Sequence, residues 1–507
     1  VTESGNGRDR LLQTDHLNAD LASRSIRGGA ITLVGQGLRI VLHTFGIIVL
    51  ARLLGPEAFG LFAMVAVVIG FIEVFLDMGL SMATVQRDRI SQTQVSTLFW
   101  VNVALGVLLA TITVGLGPAL AGFYGHAEVA ELASVLAVAF VIGGLTTQHI
   151  AVLRRQMRFN LIVNVEVAGT ACGIAAAVAA AYWGAGFWAL AVQRIAATMA
   201  VAIAAWTLSE WRPGRPGAFA DVRELLGFGG RLTGSSILNL AANSLDQVLL
   251  GWFWGPGALG LYERAYKLLL VPITYLNTPL TTVAMPALSR LASDDVRYRN
   301  AYLRTLEKIA IVTMPAAAVL IATADWIVAA AFGPTWSDMT PIVLWLGIAA
   351  LYHPIANTMG WLFLSQDRTG EMLRWALVGS LIRIAAVVAG LPFGAVGVAA
   401  AFAVSGLAVR APLLFWMAGR SGPVSTSDLY LAIAPAAAAA AAVAGSLAVV
   451  REVAAIGPEQ PILGLAAAAL IAVVATPLAV AAVPRGREAL RDFGRFGSAL
   501  LGNKVAA

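Results

Sequence analysis

Charged residues are scarce in this chain. Asp, Glu, Lys and Arg make up 12% of its 507 residues against 59% hydrophobic, and the mean hydropathy is +0.80. A soluble globular domain carries about twice that share of charge, so the balance excludes one and leaves a polytopic membrane protein. Cysteine is almost absent. The single Cys172, inside an apolar stretch, excludes an internal disulfide and any cysteine-based metal site, and reads as a small packing residue. Histidine, cysteine and carboxylate spacing offers no metal motif. No G-x-x-x-x-G-K-[ST] loop is present to bind ATP. Residues 1–28 are polar, with Arg8, Arg10, Arg24 and Arg27 among them. They lack a short apolar core before a small-residue cleavage site, so they read as a cytoplasmic tail rather than a signal peptide.

What the chain does have is an internal repeat. ARLLGPEAFGLF at Ala51 to Phe62 returns as GWFWGPGALGLY at Gly251 to Tyr262, and five of the nine positions from Leu54 to Phe62 recur at an offset of 200. In both copies an apolar run ends in Gly-Pro and another begins about four residues later, the pattern of a tight hairpin between two membrane helices. The second copy spells G-x-G-x-x-G at Gly255, Gly257 and Gly260. No strand precedes it, so a dinucleotide-binding turn is not supported. The sequence pI near 9.7 points to membrane topology before it points to nucleic acid.

Runs of about 20 apolar residues, enough to span a bilayer, fall near 30–53, 60–83, 97–120, 130–152, 160–182 and 186–209. Six more follow near 227–251, 258–286, 307–331, 339–364, 372–391 and 394–418, and two alanine-rich runs near 429–450 and 461–483 close the chain. Basic residues occupy alternate connections: Arg87 and Arg89, Arg154, Arg155 and Arg158, Arg212, Arg215 and Arg223, Arg290 to Lys308, Arg368 and Arg374, and Arg420. Those connections are read as cytoplasmic, with Arg52 and Arg451 as exceptions. Both termini then lie inside, and fourteen spans satisfy the charge pattern.

The expected fold is all-α, with two six-helix lobes as parallel repeats and an appended helix pair. In residues, this gives a cytoplasmic tail 1–28, an N-terminal lobe 29–210, a basic cytoplasmic linker 211–226, a C-terminal lobe 227–420, an additional helix pair 421–484 and a cytoplasmic tail 485–507. Gly184-Ala-Gly-Phe-Trp-Ala-Leu before the sixth span and Gly394-Ala-Val-Gly-Val-Ala-Ala before the twelfth extend the repeat. Gly169/Gly173 and Gly230/Gly234 have the small-xxx-small spacing that lets helices approach closely. A duplicated bundle without an energy domain reads as a secondary transporter.

The R-x-L-G-P-E-x-F-G-x-F hairpin, AVLRRQMRF after the fourth span, G-A-G-F-W-A-L, and FGPTWSDMTPIVLWL at 332–346 together resemble bacterial polysaccharide exporters. More specifically, the chain is similar to Wzx-type flippases of O-antigen and exopolysaccharide pathways. These sit in a superfamily with multidrug and toxin extruders and the lipid II flippase. The resemblance covers roughly residues 25 to 420. It implies movement of an undecaprenyl-diphosphate-linked oligosaccharide repeat from the cytoplasmic to the outer face of the bacterial inner membrane. The implied partners are that substrate, the bilayer, and a polymerase and glycosyltransferases of the same pathway, with no nucleic acid. No cofactor is implied beyond proton or sodium coupling.

Ionisable residues inside spans mark routes or partners, because each is costly in lipid. Arg39 and His43 share a face of the first span. At about 1.5 Å per residue Arg39 lies on the order of 13 Å from the cytoplasmic end, near the midplane. Arg194 on the sixth span and Arg383 on the eleventh reach similar depth. Arginine donates paired hydrogen bonds to phosphate oxygens and keeps its charge when partly desolvated. Arg39, Arg194 and Arg383 are therefore the expected diphosphate site, with carboxylate pairing that merely locks helices as the competing account.

Glu73 and Asp77 share a face of the second span. With His43 they form the expected ion-coupling set, or they neutralise Arg39. Asp246, Glu263, Arg264 and Lys267 cluster by the second hairpin as an outer gate or a structural ion-pair network. Glu166 and Asp325 read as snorkelling near span ends, and His353 as a helix histidine satisfied by a neighbour. Pro272, Pro279, Pro286, Pro315 and Pro354 mark places where a span bends, as hinges or static kinks. The last two spans read as a groove for a lipid tail, following the lipid II flippase resemblance, or as packing only. Two other functions compete. A drug or small-cation antiporter is expected to have a smaller, more acidic cavity. A polysaccharide polymerase or ligase is expected to have a long charged outer loop, and the short, nearly uncharged outer connections here argue against an enzyme.

Overall fold

A computed structural model describes residue 12 and residues 21–77, 79–87, 90–217, 244–268, 281, 284–454, 456–457, 459–484, 486–488 and 491. Most of both tails, much of the linker 211–226, and parts of the expected spans 227–251 and 258–286 lie outside the described residues. So do Arg89, Arg223, Gly230, Gly234, Pro272 and Pro279.

All regular structure among the described residues is helical, and eleven stretches are long and apolar enough to cross a membrane. In chain order the helices are α1 Leu21–Leu53, α2 Pro56–Asp77, α3 Leu80–Gln86, α4 Gln92–Tyr124, α5 Ala127–Leu136, α6 Val138–Arg155, α7 Phe159–Tyr182 and α8 Trp188–Leu208. After α9, residues 244–268, come α10 Asp295–Ala322, α11 Ala324–Ala331, α12 Thr340–Ala350, α13 His353–Ser365 and α14 Thr369–Gly390. The series closes with α15 Gly394–Ser405, α16 Ala411–Gly419, α17 Thr426–Val453 and α18 Pro461–Ala482. The stretch Thr369–Gly419 counts once among the eleven, although the 3-10 turn Leu391–Phe393 interrupts it between α14 and α15.

The chain divides into two compact units, Val1–Gly260 and Leu261–Ala507. In the first, α7 packs along α1 and α8, and α6 along α4 and α8. The Gly169/Gly173 spacing works as expected, because a Cβ on Gly173 would meet the Ala197 Cβ at 2.7 Å and the Gln193 carbonyl at 2.8 Å on α8. In the second unit, α17 packs on α10 and α18, and α15 on α12 and α14. Local chemistry sets the ends. Ser91 and Ser425 each close a reciprocal capping box, with Gln94 and Asp428 respectively, which satisfies donors that would otherwise be orphaned.

The two Gly-Pro hairpins meet. A Cβ on Gly60 would collide with the Pro256 carbonyl, and a Cβ on Gly260 with the Pro56 carbonyl, so the copies touch reciprocally through backbone inside the first unit. Only glycine permits that approach, a reason for both copies to keep it that hairpin formation alone does not supply.

A second repeat emerges in the turns after α6 and α13. Among non-glycine residues described, only Met157 (φ 54°) and Asp367 (φ 55°) are left-handed. In both turns the next amide bonds back five residues: Arg158 N to the Leu153 carbonyl at 3.0 Å, and Arg368 N to the Phe363 carbonyl at 2.8 Å. This is a Schellman closure on Gln156-Met157-Arg158 and Gln366-Asp367-Arg368, 210 residues apart (366 − 156). Gly184 (φ 82°) and Gly394 (φ 72°), again 210 apart, open the following helices.

Candidate functional site

Five helices of the first unit surround a cavity of about 340 Å³, lined by Arg39 of α1, Ile69, Glu73 and Leu76 of α2, residues of α6, Glu166, Gly169 and Thr170 of α7, and Arg194 and Thr198 of α8. Arg39 Nη1 donates to Glu166 Oε2 at 2.6 Å, and Arg194 Nη2 to Glu73 Oε1 at 2.7 Å. Each pair joins helices far apart in sequence, α1 to α7 and α8 to α2, and each side chain is about one third to one half exposed. The wall thus carries two positive and two negative groups, close enough to neutralise each other and open enough for a ligand to reach. Thr170 and Thr198 donate to the Glu166 and Arg194 carbonyls at 2.9 and 2.8 Å, which leaves their oxygen lone pairs as acceptors. A neighbouring pocket of about 170 Å³ shares Glu166 and adds Thr32, Gln36 and Arg154.

Arg39 and Arg194 therefore come together in one cavity. Glu73 joins them, paired with Arg194 rather than Arg39. Glu166 was read from the sequence as snorkelling near a span end, but it is the partner of Arg39. Asp325 likewise is paired, with Arg451. These two partners are 127 and 126 residues from their arginines, a relation no sequence spacing announces. His43 is exposed on α1 and is not among the residues lining the cavity. Asp77 ends α2, and its side chain lies outside the described residues.

Arg383 lies in the second unit, buried, with its guanidinium carbon 5.3 Å from the centre of the Phe402 ring. Arg410 shares that ring at 5.7 Å and also lies 6.0 Å from the Tyr352 ring. His353 meets Phe402 at 6.3 Å. A π-helical turn, Gly406–Arg410, carries Arg410, and the Tyr352 ring occupies the space a Cβ on Gly406 would need. Sequence reasoning passed over Arg410, although an arginine in the middle of the run 394–418 is the same signal that singled out Arg383.

Asp246 is buried on the part of α9 that belongs to the first unit and accepts a bond from the Gln247 amide at 3.0 Å. Glu263 and Arg264 are buried in the second unit, where Glu263 pairs with Arg264 Nε at 2.8 Å and with Lys267. Among the described residues no group of three His, Cys, Asp or Glu is placed to hold a metal ion.

Residues 49–341 match the family described as polysaccharide biosynthesis protein. The chain belongs to that family. It is 27% identical over 307 residues to the teichuronic acid biosynthesis protein TuaB of Bacillus subtilis, covering 60% of this chain and 64% of that protein, just under two thirds. It is 27% identical over 389 residues to the lipopolysaccharide biosynthesis protein WzxC of Escherichia coli K12, covering 75% and 78%. With the succinoglycan biosynthesis transport protein ExoT of Rhizobium meliloti it shares 24% over 388 residues, 76% of each.

Among solved structures, the lipid II flippase MurJ in an inward closed conformation aligns with a TM-score of 0.69 at 12% identity, over 89% of this chain and 98% of that one. An inward-facing multidrug resistance transporter of the MATE family aligns at 0.60 and 15%, over 78% and 96%. At such identities the likeness is one of fold. The polysaccharide-exporter resemblance drawn from the hairpin and basic tract holds, and the chain is a multi-pass membrane protein of that group.

Proposed function

We propose that this protein flips undecaprenyl-diphosphate-linked oligosaccharide repeats across the bacterial inner membrane by alternating access, for exopolysaccharide, capsule or O-antigen synthesis. In this reading it has fourteen spans, two six-helix lobes with a helix pair appended, and both termini in the cytoplasm. Its pathway's glycosyltransferases supply the cargo and its polymerase consumes it. The observation that carries the reading is the cavity in which Arg39 and Arg194 each hold a partly exposed glutamate.

A diphosphate entering that cavity competes with Glu166 and Glu73 for the guanidinium forks, offering more acceptor oxygens than a carboxylate and bringing more charge. A displaced glutamate is then left in a poorly solvated site, where uptake of a proton or sodium ion stabilises it. Cargo binding and ion coupling thereby share one pair of side chains. The alternative, a multidrug or small-cation antiporter, draws on the same glutamates, but their pairing with arginine leaves little negative charge for a cation.

The test is the leaflet distribution of lipid-linked repeats in cells lacking the protein, complemented with wild type or with the double variant Arg39→Gln/Glu166→Gln. The amides can keep a hydrogen bond between α1 and α7 while removing the charge. Repeats should accumulate on the cytoplasmic face of the deletion strain, be released by wild type, and stay trapped with a well-expressed double variant. Full release by the double variant means that the pair only locks helices. A normal distribution in the deletion strain, with no second carrier present, overturns the flippase reading in favour of the antiporter.

A further inference from the structure

The stretch Pro334–Ser365 is long enough to span, yet it is not one helix. α12 ends at Ala350 and α13 begins at His353, near the middle of those 32 residues. Pro354 accounts for the break, because it lacks the amide that would continue the α12 ladder. Tyr352 stands at the cap of α13, and no side chain caps the first turn. A helix that begins inside a membrane presents the positive end of its dipole at depth, the arrangement by which broken transporter helices face anions.

A second irregularity lies against this one. The π-helical turn Gly406–Arg410 interrupts the passage from α15 to α16, and such turns concentrate at functional sites. The Tyr352 hydroxyl lies 2.6 Å from where a Cβ on Gly406 would stand, so the π-turn and the start of α13 touch. Arg410, at the other end of the turn, has its guanidinium carbon 6.0 Å from the Tyr352 ring. The Tyr352 and His353 rings are 5.8 Å apart, and the centre of the Phe402 ring lies within 6.3 Å of Arg383, Arg410 and His353.

Four polar atoms at this junction are buried and have no hydrogen-bond partner among the described residues: Arg410 Nε and Nη1, Tyr352 Oη and His353 Nδ1. Tyr352 as a whole is 6% exposed. Buried polar groups are nearly always satisfied, and arginine cannot shed its proton to escape the cost. No carboxylate among the described residues pairs with Arg410. Water satisfies the N–H and O–H groups but leaves the guanidinium charge unbalanced, whereas an anion answers both needs.

We infer that the junction of the α13 N-terminus with the π-turn binds a small inorganic anion, a halide of chloride's size, through Arg410, Tyr352 and His353. His353 donates in the tautomer that carries its proton on Nδ1, and Arg383 adds positive charge nearby. The orphaned atoms are closed to solvent, so the occupant fits between packed side chains. A monatomic ion accepts donors from any direction, while phosphate brings four oxygens that three side chains leave largely unmet. The site lies in the second unit and does not depend on the nature of the cargo. Its ion ties two irregular segments of that unit together.

The experiment uses the full chain in detergent with chloride exchanged for gluconate, and follows the thermal midpoint as sodium chloride, sodium bromide or sodium phosphate is added at matched ionic strength. Chloride and bromide should raise the midpoint saturably, because a ligand of the folded state stabilises it by mass action. Arg410→Gln should abolish that rise. Tyr352→Phe should weaken the apparent halide affinity about tenfold, as expected for one hydrogen bond to a charged group, with the midpoint in gluconate retained, since the hydroxyl has no protein partner to lose. Arg39→Gln, in the other unit, should leave the halide response unchanged. A midpoint indifferent to halide means that the donors meet water only and overturns the inference. So does a response that survives Arg410→Gln and vanishes with Arg39→Gln, which would put the anion in the first unit's cavity. Phosphate protecting as strongly as chloride would make the site an open oxyanion site and overturn it as well.

Discussion

In the first unit, Arg39 and Arg194 reach glutamates on other helices at 2.6 and 2.7 Å, in a cavity open enough to leave those side chains one third to one half exposed. In the second unit, Arg383 and Arg410 lie over one ring, Phe402, at 5.3 and 5.7 Å, and Arg410 Nε and Nη1 are buried without a hydrogen-bond partner among the described residues. The scaffold around these arginines is repeated while the charges are not. At the 210-residue offset that relates the two Schellman turns and the Gly184 and Gly394 turns, Arg194 corresponds to Val404, Glu166 to Ala376 and Arg383 to Gly173. Duplicated turns preserve how helices begin and end, and the intramembrane charges were placed in each half separately. A carboxylate partner can be displaced by a stronger anion, whereas a ring face cannot be exchanged, which is why the proposed binding site is assigned to Arg39 and Arg194 in the first unit.

The comparison breaks most sharply at Phe402, which is fully buried. Phe402→Ala should cost about 3–5 kcal/mol, read as loss of folded protein or a large fall in thermal midpoint in detergent. Phe402→Leu keeps most of the volume and should still cost about 1–2 kcal/mol through the two lost cation–π contacts. An unchanged midpoint for Phe402→Leu would mean that the ring serves only as packing.

Next in size are the hairpins. Gly60→Ala and Gly260→Ala each force a methyl group against a carbonyl and should cost about 1–3 kcal/mol. Gly257→Ala, with nothing within 4 Å, should be neutral or slightly stabilising. Equal effects at all three positions would refute the close reciprocal contact. Glu73→Gln, which removes the displaceable partner of Arg194, should change stability by no more than about 1 kcal/mol at this degree of exposure while lowering transport at least severalfold in the leaflet assay. A large stability loss with full specific activity would instead assign the pair to helix locking.

The smallest effects belong to the repeated turns. Met157→Gly and Asp367→Gly relieve left-handed backbone at the cost of unfolded-state freedom, for a net gain of about 0.5–1 kcal/mol each. Met157 should gain more, because aspartate tolerates that conformation better. Destabilisation at both positions would mean that their side chains matter more than their backbone.

How much of this was legible beforehand differs from residue to residue. The Gly-Pro hairpins, the apolar runs and the presence of Arg39 and Arg194 inside spans could be read directly, because hydropathy, turn chemistry and the cost of charge in lipid act over a few residues. The Gln-x-Arg turns could have been read as a repeat, but their shared geometry depends on one left-handed residue that in neither copy is glycine. Glu166 was misjudged because its distance along the helix from a span end says nothing about which neighbour faces it. Arg410 carried the right signal and was overlooked.

By itself, then, the sequence determined the class of the protein, its helical punctuation, its duplication and its family, all consequences of local composition and of matching short segments. Only the tertiary structure decided which charge answers which. It decided that Glu166 meets Arg39 and Glu73 meets Arg194, that Arg383 and Arg410 lie over a ring, and that two hairpins 200 residues apart in sequence touch through glycine. Those choices depend on how helices pack face to face, and a pairing across more than one hundred residues leaves no periodicity in the chain that makes it.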